Sequence, residues 1–142
     1  MTETWQFWAL LAAVFAAMTA IFAKIGISGL NSDFATFIRT LVILAALAAF
    51  LSATGQWQSA SSVSSKSWLF LVLSGLATGA SWIAYFRALQ MGQASQVAPI
   101  DKLSIVLVAI FGATFLGEKL SLANWLGVAM IAAGAIMVSL RI

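Results

Sequence analysis

Five runs of roughly 20 predominantly apolar residues follow one another along this chain, and that is the length an α-helix needs to cross the hydrocarbon core of a bilayer. They cover residues 5–23, 34–53, 68–89, 95–116 and 122–140. Backbone N–H and C=O groups in lipid must be paired internally, and the two-residue alternation of an outer-membrane barrel is absent, so the runs are helices. The one extended polar linker is "TGQWQSASSVSSKS", between the second and third runs, whose serines and glutamines suit an exposed loop. Connections from the third run to the fourth and from the fourth to the fifth are short, which predicts antiparallel helical hairpins. The expected fold is an all-α membrane protein, one bundle of five transmembrane helices over residues 1–142.

Composition supports a bilayer as the solvent. Of the 142 residues 63% are hydrophobic and 8% charged, with a mean hydropathy of +1.05, outside the range of soluble domains. A water-soluble domain of this size leaves about 30% of its unfolded surface exposed and has nowhere to put such an excess. Cysteine and histidine are both absent. That excludes disulfides, thiolate chemistry and an imidazole-based zinc site. The seven Lys/Arg are scattered singly, so the formal charge of +3 marks no nucleic-acid surface. The opening "MTETWQFWALLAAVFAAMTAIFAKIG" carries Glu3 and no basic residue before an apolar run too long for a signal peptide, and it reads as a retained first span.

Small residues point to helix contacts. Gly75 and Gly79 form a GxxxG pair, Ala12, Ala16 and Ala20 recur every four residues, and Gly127 and Gly134 lie seven apart in the fifth span. Such positions serve packing inside a bundle or a contact between copies. Trp5, Trp8, Trp57, Trp68 and Trp125 fall near the ends of spans, as interfacial anchors do. Trp82 sits deeper, with Tyr85 and Phe86.

Five spans place the termini on opposite sides. Lys66 and Lys119 share one side with the N-terminus. Lys24, Arg87 and Arg141 lie on the other, with the partly embedded Arg39 and Lys102. The positive-inside rule then puts the C-terminus in the cytoplasm, by a narrow margin when only loop and end residues are counted.

Charges inside the spans narrow the function. An ionised side chain at the centre of a membrane helix costs roughly 2.5–3.5 kcal/mol on insertion scales, so it is kept where it is paired or used. Arg39 and Asp101 each lie about 9 Å inside a span, measured from the same face at 1.5 Å per residue, and Arg87 belongs to the same leaflet. Lys102 is expected about 100° around the helix from Asp101. Two uses are open. Asp101 pairs with Arg39 or Arg87 to fix helix order while Lys102 snorkels to the headgroups. Alternatively the cluster Arg39, Arg87, Asp101 and Lys102, with Tyr85 and Trp82, lines a solute pathway for an anionic or zwitterionic molecule, Asp101 carrying a coupled proton. Pro99 either frees a backbone carbonyl at this depth or begins the fourth helix.

The segment "GLATGASWIAYFRALQMGQASQVAPIDKLSIVLVAIFGATFLGEKLSLANWLGVAMIAAGAIMV" resembles the second half of an EamA domain, the repeat unit of the drug/metabolite transporter superfamily. The features are an aromatic-rich helix ending in "FRAL", the small-residue turn "QAS", the turn "FLGEKLS" and the glycine-punctuated last helix. "ATFIRT" around Arg39 is similar to the arginine-bearing second helix of that family. The likeness covers nearly the whole chain and is nearest to a bacterial group with a single repeat. It implies a helical transporter-like protein of the bacterial inner membrane. The family's common proline ahead of the long run of the fourth helix would fall near Ser104 or Ile105, and neither is proline. Most family members carry two repeats. A single five-helix unit needs a partner to rebuild an inverted pair, so the resemblance implies a dimer, with an antiparallel homodimer allowed.

The leading expectation is therefore a secondary transporter of a small metabolite, with a non-transporting scaffold held by intramembrane salt bridges as the alternative. Cation export like that of the small multidrug exporters fits less well, because it uses an acid on the first helix and the first span has none. No nucleophile–base pair, metal constellation or phosphate loop points to an enzyme, and no cofactor is implied. The charge bias predicts that a cysteine replacing Ser62 is labelled by an impermeant reagent from outside the cell and one at the C-terminus from inside. Labelling of each site from both faces would instead reveal insertion in two orientations.

Overall fold

The computed structural model of the protein describes residues 4–140; Glu3 and Arg141, used above, lie outside the described residues. Six α-helices follow in order: α1 Trp5–Gly26, α2 Ser32–Thr54, α3 Ser65–Met91, α4 Ala94–Asp101, α5 Ser104–Phe115 and α6 Leu122–Ser139. A 3₁₀ turn, Ala60–Ser62, interrupts the polar linker. The five segments long and apolar enough to cross a membrane are α1, α2, α3, α4 with α5, and α6. Large apolar side chains are exposed along all of them, including Phe15, Leu44, Leu71, Val108 and Met137. That distribution suits lipid and would be untenable in water.

Helix ends follow from local chemistry. Asn31 caps α2, its side-chain oxygen accepting from the N–H groups of Asp33 at 2.9 Å and Phe34 at 3.1 Å. Gly55, at φ +66°, ends α2 in the left-handed conformation, and the N–H of Gln56 returns to the Leu51 carbonyl at 3.1 Å. Ser121 caps α6 by accepting from the N–H of Asn124 at 3.2 Å. In the linker, the Trp57 indole donates to Ser52 Oγ at 3.0 Å and the Trp68 indole to the Ala60 carbonyl at 3.3 Å. Both indoles thus keep the polar contact expected of interfacial tryptophans.

The fourth span departs from the single helix expected over 95–116. It breaks between Asp101 and Ser104. Pro99 is the sixth residue of α4 and not its first, so its missing N–H removes the bond that the Ser95 carbonyl would accept. Just beyond, the N–H groups of Lys102, Leu103, Ile105 and Val106 reach carbonyls three residues back, at 3.1, 2.9, 3.0 and 3.0 Å. The joint is a tight 3₁₀-like turn between two half-helices.

The chain divides into two compact units. One comprises the residues up to Phe22 and those from Met91 onward, and the other is Ala23–Gln90. In the first, α6 packs against both α4 and α5, which is the hairpin expected of the last two spans. In the second, α2 and α3 run antiparallel and their facing residues make the site described below. The glycines expected to mark close helix contacts are open: a Cβ added at Gly75, Gly79, Gly127 or Gly134 would meet no other atom within 4 Å. Among the described residues, none of the four glycines is in tight contact with another element of its own unit.

Candidate functional site

In the unit Ala23–Gln90 the site begins with two helix faces. On α2, Ser32, Ala35 and Thr36 are buried and Arg39 is half-buried, a stripe of period three to four that ends on the cation. Thr36 turns its hydroxyl back to the Ser32 carbonyl at 2.9 Å, so the stripe is polar in composition but satisfied. On α3, Trp82, Phe86 and Leu89 fall four and three residues apart; Phe86 is 2% exposed and Leu89 fully buried.

Arg39 is held by aromatic faces. Its guanidinium carbon lies 4.4 Å from the centroid of the Trp82 ring and 5.4 Å from that of Phe86, within the range of cation–π attraction. Tyr85 continues the aromatic wall, its ring 6.5 Å from Phe86 in an edge-on arrangement. Within this unit, among the described residues, Arg39 has no carboxylate in ion-pair contact.

Arg87 is differently engaged. Its Nε donates to Asp33 Oδ1 at 2.9 Å and its Nη2 to Asp33 Oδ2 at 2.6 Å, a bidentate pair joining the last turns of α3 to the first turn of α2. Within this unit the carboxylate partner of Arg87 is therefore Asp33. Sequence reasoning left Asp33 among the turn residues before the second span. The available signal was topological: antiparallel α2 and α3 bring the start of one level with the end of the other. Both side chains stay substantially exposed, at 44% and 58%, as a pair at the membrane boundary would be. Arg39, six residues further along α2, lies about 9 Å deeper.

Asp101 and Lys102 belong to the other unit and flank the joint between α4 and α5. Lys102 is the residue that caps α4, at φ −71° and ψ −6°. Its ammonium comes to 3.4 Å from Asp101 Oδ2, the two side chains being 54% and 36% exposed. Helix α4 ends at Asp101, and Lys102 begins the turn beyond it. The six candidates thus fall into three local groups: Arg39 with Trp82 and Tyr85, Arg87 with Asp33, and Asp101 with Lys102. Among the described residues no group of three His, Cys, Asp or Glu could hold a metal ion.

A helical multi-pass membrane protein with a divided span, and with arginine embedded against aromatic rings, is the class this geometry defines. The chain belongs to the EamA-like transporter family, whose profile matches residues 3–140. It is 67% identical over 139 residues to a protein of Sinorhizobium sp named "Uncharacterized transporter in cobO 3'region", covering 98% of this chain and 99% of that one. A second relative, "Uncharacterized transporter YxxF" of Bacillus subtilis (strain 168), is 27% identical over 135 residues. That match takes in 94% of this chain but only 42% of the longer relative. No solved structure matches at a significant level.

The Arg39–Trp82 contact is measurable as a coupling. In a double-mutant cycle of Arg39→Gln and Trp82→Leu, read by reversible unfolding in detergent, the two substitutions should be non-additive by about 1 kcal/mol. Additivity would mean that the stacking contributes nothing.

Proposed function

We propose that this protein carries a small anionic or zwitterionic metabolite across the bacterial inner membrane as a secondary transporter, working as a dimer of five-helix units. Arg39 receives the anionic group of the solute, while Trp82, Tyr85 and Phe86 offer their faces to its less polar part. Asp101 at the α4–α5 joint is the proton-coupling carboxylate, with Lys102 beside it, and Arg87 guards the approach through its pair with Asp33. The observation that carries this reading is the state of Arg39, a half-buried cation held against aromatic rings with no carboxylate of its own unit, among the described residues, in ion-pair contact. A purely structural arginine at that depth would be expected to have an acid against it.

Family membership supports transport as the activity, and the B. subtilis relative supports the dimer. This chain aligns with 42% of that protein, which leaves room there for a second unit of the same size. Five spans per unit give a fused pair opposite orientations, the arrangement in which solute sites form at the interface of inverted repeats. An antiparallel homodimer rebuilds it from two copies, and the open faces at Gly75, Gly79, Gly127 and Gly134 leave surface for the contact. The C-terminus is cytoplasmic in the majority orientation. The scaffold alternative draws on a different observation: Arg87 and Lys102 both already have acidic neighbours, as structural salt bridges would require.

Flux into proteoliposomes separates the two. Arg39→Ala should weaken the affinity for an anionic solute at least about tenfold, the loss of one charge-assisted contact of about 1.5–3 kcal/mol; unchanged affinity would remove Arg39 from the site. Asp101→Asn should abolish proton-coupled uptake while the helical circular dichroism signal is retained. Collapse of the fold in that variant would place Asp101 with the structural charges.

A further inference from the structure

We propose that the cleft framed by the ends of α1 and α3 and the turn after α1 binds a phosphate group, supplied by a phospholipid headgroup of the adjoining leaflet. The cleft has a volume of about 310 Å³, opens to the exterior and is lined by Lys24, Ile27, Ser28, Gly29 and Gln90. This is near the lower bound of roughly 300–1,000 Å³ for small-molecule sites. It suits a headgroup and not a whole lipid.

Its chemistry is one-sided. The lining holds a single formal charge, the Lys24 ammonium, with a serine hydroxyl, a carboxamide and a glycine backbone, and no acidic side chain. Two helix C-termini converge here, and their carbonyls would ordinarily repel an anion. Lys24 and Gln90 answer them. The Lys24 ammonium donates to the Leu89 carbonyl, and Gln90 Nε2 donates to the Leu30 carbonyl at 2.6 Å. The same hydrogen bonds fix both side chains at the cleft wall, so a ligand meets donors whose positions are already set. Gly29, at φ +75°, turns the chain here and carries no side chain into the space.

Phosphate is favoured over a flat carboxylate because the donors are of three kinds spread around a cavity, with lysine acting as a point charge and not as a planar fork. A lipid source is favoured by depth. Lys24 lies in the last turn of α1 and Gln90 in the last turn of α3, where these spans end and headgroups begin. They also lie on the side carrying the positive excess, where basic pockets between helices hold anionic headgroups. The inference does not depend on what Arg39 binds.

Native mass spectrometry of the full chain in detergent tests it, with phosphatidylglycerol, a diacylglycerol of the same tails and inorganic phosphate as probes. Phosphatidylglycerol should be retained in preference to diacylglycerol, and Lys24→Gln should weaken its binding about fivefold, while Lys24→Arg preserves it. Gln90→Leu should lower retention as well, and it reads the same cleft should Lys24→Gln fail to fold. Inorganic phosphate binding that depends on Lys24, without preference for phosphatidylglycerol, would keep the phosphate site but make free phosphate its occupant. Retention of both probes independent of Lys24 and Gln90 would overturn the proposal.

Discussion

A hydrocarbon solvent offers no hydrogen bonds, and the architecture follows from that single constraint. Each polar backbone group inside the bilayer needs a partner on its own chain, which leaves the helix as the economical solution for each of the five spans. Threonine and serine side chains obey the same rule, Thr36, Thr40 and Thr78 folding back to carbonyls four residues earlier. The exception in a span is the stretch from Pro99 to Leu103. There the proline withholds a donor and the following N–H groups shorten their reach to three residues. The charged pair Asp101 and Lys102 sits where, among the described residues of the spans, the helical ladder is interrupted.

Much of the fold was legible in the sequence because helix length and apolarity are set by bilayer thickness, a quantity independent of the protein. The ends were legible where a specific residue terminates a helix, as Gly55 does for α2, but less so for α3, which runs beyond the apolar stretch at both ends, from Ser65 behind the capping Ser64 hydroxyl to the exposed Met91. The division of the fourth span was half legible. Pro99 was visible, but whether a proline begins a helix or interrupts one depends on where the helix starts, and nothing in "QMGQASQVAP" singles out Gln93 as the residue before the first turn.

The candidate site divides along similar lines. Embedded arginines and the aromatic cluster "SWIAYF" stood out as residue types that lipid disfavours or that favour cations. Their pairing did not. Sequence depth alone makes Arg39, Arg87 and Asp101 equivalent partners, whereas the structure distinguishes them by helix face: Arg39 meets Trp82 and Phe86, and Arg87 meets Asp33. One acid in the first turn of α2, unremarkable beside the capping Asn31, thereby changes the charge balance of that unit, since it offsets the Arg87 charge.

The joint at Lys102 and Leu103 has a mechanical consequence. A continuous helix behaves as a stiff rod, so a tilt imposed at one membrane face appears at the other. A rod in two pieces, eight residues and twelve residues long, does not transmit that tilt. The shorter half, which carries Asp101, packs against α6 more extensively than the longer half does, so the two halves of one span lean on the same neighbour to different degrees and the joint marks where the closer hold gives way to the looser one.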